Sequence, residues 1–91
     1  MVWFKRSLPA QEALARAKKH LEKAGKTQDN RKVLKLCVDA KEALERVDVV
    51  STSIKDRNEI VSMYREQGRV LKTFGFDAEA KVSNDKAEQL R

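Results

Sequence analysis

The amino-acid sequence predicts an all-α fold, a small antiparallel bundle of three to four helices built from two helical hairpins. Its 91 residues include only three Gly and one Pro, too few turn formers for many short strands. Charged residues make up 37% of the chain, but the apolar residues, at 41%, recur at helical spacing, which argues against disorder. We expect one domain over 1–91, with a tail at 1–7, a first hairpin at 8–47 and a second at 53–90.

The first helix is predicted to begin just after Ser7, whose side chain suits the N-cap, with Pro9 in the opening turn. Gly25 suits the left-handed conformation that ends many helices, so we expect the helix to stop there. A narrow apolar seam runs along one side of it: Ala10, Leu14, Ala17, Leu21 and Ala24. This seam predicts the face that packs against the rest of the bundle.

The second helix is predicted to begin at Thr27 and to carry a seam with the same spacing. That seam consists of Val33, Cys37, Ala40, Leu44 and Val47, widened by Leu34, Leu36 and Val38. Two helices with matching seams and a short loop favour an antiparallel hairpin. The β-branched segment 48–52 interrupts the helical pattern and is therefore predicted to connect the two hairpins.

The third helix is predicted to begin at Ser53, because Ser53 and Asp56 match a capping box. Its apolar residues cover two adjacent stripes, as expected for a helix with neighbours on two sides: Ile54, Ile60, Val61, Met63, Tyr64, Val70, Leu71 and Phe74. Gly75 is predicted to end this helix and to form the turn into a weaker fourth helix over 78–90. The buried face of the fourth helix is expected to contain Ala80, Ala87 and Leu90.

Small and large residues are spaced along the third and fourth helices in a pattern that resembles a tetratricopeptide (TPR) helical hairpin. The residues that carry the pattern are Tyr64, Gly68, Leu71, Gly75, Ala80 and Ala87. The resemblance implies that Gly68 and Ala80 let the two helices approach closely, with Tyr64 and Leu71 filling the groove between them. It implies a tight turn at Gly75 and a contact from Ala87 to the next unit.

The resemblance covers 61–91, and it is incomplete. Gln67 stands where the family usually has Leu, Asn84 stands where it usually has an aromatic residue, and the closing Pro is absent. Similar fragments around Ala17 and Ala40 lie 23 residues apart, and Ala80 follows 40 residues later, whereas TPR repeats recur every 34 residues. We therefore expect a TPR-like domain, not a TPR array, in which the first hairpin caps the second.

The net charge of +6 lies entirely in the first half of the chain. Residues 1–46 contain twelve Lys and Arg against six Asp and Glu, and residues 47–91 contain eight of each. The excess includes Arg16, Lys19, Lys23, Lys26, Arg31, Lys32 and Lys35. Such a cluster is typical either of a solvated helix surface or of a site for nucleic acid or an anionic membrane. No aromatic residue is interleaved with these bases to stack on nucleotides.

Catalytic and metal chemistry are not expected. His20 is the only histidine and Cys37 the only cysteine, so neither a metal site nor a Cys-His pair is indicated. The sequence contains no nucleophile elbow and no Gly-rich phosphate loop, so we predict neither a catalytic residue nor a cofactor. The lone cysteine and the absence of a secretory-signal pattern at the N-terminus indicate a cytoplasmic protein.

These observations predict a non-catalytic module that binds a protein or peptide. A helix or an extended peptide is expected in the groove of the Tyr64 hairpin or on the face shared by the second and third helices. The chain also resembles the N-terminal helical modules of large fungal multidomain proteins, which implies that it is part of a larger protein. Two alternatives are a fold similar to the microtubule-interacting-and-transport (MIT) domain, which binds helical tails, and the basic surface described above.

Trp3 and Phe4 either pack on the bundle or anchor a partner, including a second copy of the chain.

Overall fold

Four α-helices make up most of the part of the chain that the computed structural model describes, which comprises residues 8–48, 50 and 52–91. They are α1 (Ala10–Lys26), α2 (Asn30–Glu45), α3 (Ile54–Thr73) and α4 (Asp77–Leu90). The described residues contain no strand, so the predicted all-α bundle is confirmed, in its four-helix form. None of these four helices is both long enough and apolar enough to cross a bilayer.

The two ends of α1 differ from the sequence-based prediction. Pro9 occupies the N-cap position and makes no side-chain hydrogen bond, while the proposed cap Ser7 lies outside the described residues. Gly25 does not end the helix, which continues to Lys26, and only Gly75 has a positive φ among the described residues. Glycine permits a left-handed turn without enforcing one, and at this exposed position the helical conformation is retained.

The start of α2 is set by Asp29 instead of Thr27. The Asp29 carboxylate accepts hydrogen bonds from the backbone N–H groups of Arg31, at 2.9 Å, and Lys32, at 3.4 Å. Thr27 lies before the helix, and its hydroxyl oxygen accepts a hydrogen bond from the Asp29 N–H. Both residues can cap a helix, but a carboxylate also interacts favourably with the positive end of the helix dipole.

The predicted N-cap of α3 is confirmed, because Ser53 Oγ accepts a hydrogen bond of 3.2 Å from the Asp56 N–H. The expectation that Ile54 belongs to the buried stripes is wrong, since its side chain is 78% exposed. At the first position of the helix it lies beyond the neighbouring helices. Ile60, one and a half turns later, is the first fully buried residue of α3.

The turn between α3 and α4 is formed at Gly75, as predicted. Gly75 has a φ of +87°, and its N–H donates to the Lys72 carbonyl oxygen at 3.0 Å. The Phe76 N–H donates to the Leu71 carbonyl oxygen at 2.9 Å. This pair of bonds is a Schellman motif, which satisfies the last carbonyls of α3 and reverses the chain.

The four helices form two antiparallel hairpins, and α3 packs against all three of the other helices. The hairpin of α1 and α2 is closed at one end by a hydrogen bond from the Leu8 N–H to the Arg46 carbonyl oxygen. The buried core contains Leu14, Ala17, Leu21 and Ala24 from α1, all five residues of the second seam, Ile60, Val61, Tyr64 and Leu71 from α3, and Ala80 and Ala87 from α4. Leu90, also predicted on the buried face of α4, is partly buried and packs against this core.

We predict opposite effects for alanine at two of the glycines. Gly75→Ala should lower the free energy of unfolding by about 1–2 kcal/mol, because an L-residue is strained at positive φ. Gly25→Ala should raise it by about 0.5–1 kcal/mol, since Gly25 is helical and nothing lies within 4 Å of the added methyl group. Urea denaturation of both variants measures the difference, and equal effects would contradict the assigned roles.

Candidate interaction surface

The interface between α3 and α4 contains the residues that the hairpin pattern singled out. Five of them are buried, namely Tyr64, Gly68, Leu71, Ala80 and Ala87, and Gly75 is exposed at the turn. A Cβ placed on Gly68 would lie 2.9 Å from Cγ of Asn84, which is closer than real Cβ contacts. Gly68 therefore accommodates the Asn84 side chain. The atoms nearest to this Cβ position belong to Asn84, the residue that stands where the resemblance implied an aromatic side chain.

A buried polar pair in the same interface was not found from the sequence. Gln67 is completely buried and Ser83 is 1% exposed, and the Ser83 hydroxyl lies 3.5 Å from Gln67 Oε1. Gln67 Nε2 has no hydrogen-bond partner among the described residues. An unpaired buried amide typically lowers the free energy of unfolding by about 1–3 kcal/mol. This pair therefore does not stabilise the hairpin relative to an apolar pair of similar size.

A concave surface, which we call the α2–α4 groove, lies between α2 and α4, with α3 as its floor. Its cavity volume is about 100 Å³. The lining consists of Leu34, Cys37, Val38 and Lys41 from α2, Gln67 and Leu71 from α3, and Glu79, Val82 and Ser83 from α4. Val38 is 50% exposed and Val82 is 46% exposed, and the two valines come from the two helices that flank the floor. The groove is thus an apolar depression with charged residues among its lining.

The sequence indicated only part of this groove. Val38 was expected to widen the buried stripe of α2, and the structure corrects this, because Val38 is half-exposed. Val82 and Ser83 were not singled out, since the weak apolar pattern of α4 gave no reason to separate them from its solvated face. A groove formed by residues from three helices has no signature within any one of them.

A second depression lies between α1 and α3 and is more polar. It is lined by Gln11, Leu14, Ala15, Lys18, Glu59, Ser62 and Met63. Near it, Gln11 Nε2 donates a hydrogen bond of 2.8 Å to Asp56 Oδ1 and so connects the starts of the two helices. The polar residues of this depression are exposed side chains, in contrast to the buried amide below the α2–α4 groove.

The seven basic residues of the predicted anionic surface are all exposed. Arg16 forms an ion pair of 2.8 Å with Glu12, and it also lines a shallow depression with Asp39 and Glu42. Among the described residues, no carboxylate forms an ion pair with Lys19, Lys23 or Lys26. Exposure of this kind is expected both for a solvated helix surface and for an anion-binding site, so the anionic surface stays a prediction.

Cys37 and His20 are held inside the bundle. Cys37 is buried in the seam of α2, and desolvation raises the pKa of its thiol from 9.0 to about 11. The thiol is therefore protonated and unreactive near neutral pH. His20 is partly buried, and its Nδ1 atom has no hydrogen-bond partner among the described residues. Across the described parts of the chain, no three His, Cys, Asp or Glu side chains are grouped in a way that could hold a metal ion.

Burial also raises the pKa of the Tyr64 hydroxyl, and the negative charge of Glu45 adds to this effect. Trp3 and Phe4, the proposed N-terminal anchors, lie outside the described residues.

No family model, curated protein or solved structure matches this chain. A function for this protein is therefore inferred from the α2–α4 groove and the packing beneath it.

We predict that an apolar replacement of the buried polar pair stabilises the protein. The double variant Gln67→Leu/Ser83→Ala should raise the free energy of unfolding by about 1 kcal/mol, because replacing both partners removes the unpaired amide. Ser83→Ala alone should lower it, because both ends of the Gln67 amide would then lack a partner. Urea denaturation compares the three proteins, and a double variant less stable than Ser83→Ala would show that the pair stabilises the fold.

Stability is predicted to fall in alkaline solution. Below pH 9 the Cys37 thiol is protonated in both states, whereas between pH 9 and about 11 the unfolded chain loses this proton and the native chain keeps it. The free energy of unfolding should therefore decrease over this range, and Tyr64 should extend the decrease above pH 10. Urea denaturation at several pH values tests this. Cys37→Ala should give a shallower slope near pH 9–10, and an unchanged slope would contradict the assignment.

Proposed function

We propose that this protein is a non-catalytic protein–protein interaction module that binds a segment of a partner protein in the α2–α4 groove. The observation that carries the proposal is the pair of half-exposed valines, Val38 and Val82, above a floor formed by Gln67 and Leu71. Apolar side chains at a concave surface are typical of sites where a partner residue anchors. We further propose that the module acts in the cytoplasm as the N-terminal part of a larger protein.

The size of the groove favours a protein side chain over a small-molecule ligand. Sites for cofactors and drug-sized ligands enclose roughly 300–1,000 Å³. The α2–α4 groove has a volume of about 100 Å³, which suits one apolar side chain. The wider depression between α1 and α3 is less suitable as an anchor site, because more of its lining is polar.

We also propose that the second hairpin is TPR-like. Its support is the antiparallel pairing of α3 and α4, the Schellman turn at Gly75 and the close approach at Gly68. Gln67 and Asn84, the two departures from the family pattern, both lie in the contact between the helices. Polar side chains thus stand at these two positions in place of the apolar ones of the family, as expected for a divergent hairpin.

The MIT-like alternative is less well supported, because it requires the fourth helix to be dispensable. Ala80, Ser83 and Ala87 of α4 are buried, and Ser83 lies against Gln67 of α3. Removal of α4 would expose this face of α3 to water. A three-helix fold ending near Gly75 would therefore lose Ala80 and Ala87 from the core and expose buried residues of α3.

Introducing negative charge at the two valines of the groove is predicted to weaken binding. Val38→Asp/Val82→Asp should reduce partner recovery at least about ten-fold, because two carboxylates would have to be desolvated in the complex. Quantitative affinity purification with the tagged full chain measures recovery, and circular dichroism checks the helix content. The matched control is Ile54→Asp, which changes another exposed apolar residue outside the groove, at a helix start that tolerates a carboxylate.

The same experiment distinguishes the other candidate partners. If the groove binds a second copy of the chain, the double variant should be a monomer in light scattering where the parent protein is a dimer. If Lys23→Glu/Lys26→Glu removes binding and the log affinity falls steeply with log salt, the partner is a nucleic acid or an anionic membrane. Unchanged recovery of a protein partner by Val38→Asp/Val82→Asp would reject the groove as the binding site.

A further inference from the structure

The floor of the α2–α4 groove contains a polar group that packing alone does not explain. The Gln67 side chain is fully buried and lines the groove, and its Nε2 atom has no hydrogen-bond partner among the described residues. The Ser83 hydroxyl reaches the other end of the same amide, at 3.5 Å.

The amide is positioned to meet an occupant of the groove. The last torsion of a glutamine side chain is soft, so the amide can turn toward the groove while α3 stays in place. Buried polar groups are nearly always hydrogen-bonded in stable proteins. A polar atom supplied by the occupant, beside the apolar side chain between Val38 and Val82, would complete the hydrogen bonding of Gln67.

The type of polar atom indicates the conformation of the occupant. Inside a helix, the backbone N–H and C=O groups are already paired with each other and are unavailable to a neighbour. In an extended segment they are free, and an amide can donate to a main-chain carbonyl or accept from a main-chain N–H. The geometry therefore favours an extended segment over a helix.

Charges at the two ends of the groove restrict the occupant further. Leu34 and Lys41 of α2 line the groove together with Gln67 and Leu71 of α3. Later in α2, Glu45 lies near Tyr64, which comes earlier in α3, and its charge raises the pKa of the Tyr64 hydroxyl. Because later residues of α2 lie beside earlier residues of α3, the two helices are antiparallel. Since α4 is also antiparallel to α3, α2 and α4 are parallel.

Lys41 is the last α2 residue of the lining, and Glu79 is the first α4 residue. Because α2 and α4 are parallel, these two charges lie at opposite ends of the groove. Lys41 already forms an ion pair of 3.6 Å with Glu45, so an acidic residue of the bound segment would have to take the place of Glu45 beside Lys41. A segment with this acidic residue at one end and a basic residue beside Glu79 at the other end is complementary to the groove.

We propose that the α2–α4 groove binds an extended segment of a partner protein, with one apolar side chain between Val38 and Val82 and one main-chain polar group hydrogen-bonded to Gln67. The acidic end of the segment lies beside Lys41 and its basic end beside Glu79. This inference depends on the proposed interaction function and specifies the chemistry of its ligand.

The test uses the full chain and the pentapeptide acetyl-Asp-Ala-Leu-Ala-Lys-amide. Binding should be saturable and should shift the NMR resonances of the Gln67 side-chain NH₂ group. Replacing the central leucine by serine should weaken binding at least about ten-fold, because the apolar contact is lost. Methylating the backbone nitrogens around the leucine should weaken binding if the Gln67 amide accepts from their N–H groups. If Gln67 instead donates to a carbonyl oxygen, N-methylation should be tolerated, and a depsipeptide should bind more weakly because an ester carbonyl is a poorer acceptor than an amide carbonyl.

The matched protein variants are Gln67→Leu and Gln89→Leu. Gln67→Leu fills the same buried position with an apolar side chain, so the chain should fold, but it removes the hydrogen-bonding group. It should therefore weaken the binding of the pentapeptide at least about ten-fold. Gln89→Leu makes the same change at an exposed position of α4 outside the groove and should leave binding unchanged. Equal affinity for Gln67→Leu and the parent chain would overturn the inference.

The outcomes separate this inference from the proposed function. In one outcome, Val38→Asp/Val82→Asp abolishes partner recovery but the pentapeptide does not bind. In another, the same double variant abolishes recovery and a stapled helical peptide with the same leucine binds independently of Gln67. In both cases the groove would be an interaction site, but its occupant would not be an extended segment. If partner recovery is unaffected by the two aspartates, the proposed function itself fails.

Discussion

The contact between α3 and α4 is the constraint on which the rest of the bundle depends, because α3 is the helix that packs against all of the others. Gly68 has no side chain, so the Asn84 side chain can occupy the space where a Cβ would lie. This close approach brings Ser83 within reach of Gln67 and buries Ala80 and Ala87. With a larger residue at 68, α4 would have to move away from α3 or rearrange Asn84, and the floor of the groove would change with it.

The α2–α4 groove is a direct consequence of this arrangement. Both flanking helices run antiparallel to α3, and their exposed valines line the groove together with a floor that contains the polar Gln67 beside Leu71. A buried, incompletely paired amide is unfavourable for folding, and such local violations of packing rules in natural proteins are commonly found at functional sites. The groove thus combines a feature that lowers stability with an apolar concave surface, which is why we propose it as the interaction site.

The local signals in the sequence were reliable where their partners lie within a few residues. Ser53 caps α3 and Gly75 forms the turn after it, because each hydrogen bond involved spans no more than five residues. The signals at Thr27 and Gly25 were wrong for two different reasons. Asp29 provides a stronger cap two residues after Thr27, and Gly25 can continue a helix at small cost.

The sequence by itself determined the four helices, most of their buried faces and the small residues at the α3–α4 interface, because the periodicity of apolar residues reflects which side of a helix leaves water. Only the tertiary structure decided that Gln67 meets Ser83, that Asn84 lies over Gly68, and that Val38 and Val82 flank one groove. These contacts depend on the register and relative direction of separate helices. Register is set by the fit of side chains across the interface, and no single helix carries that information in its own spacing.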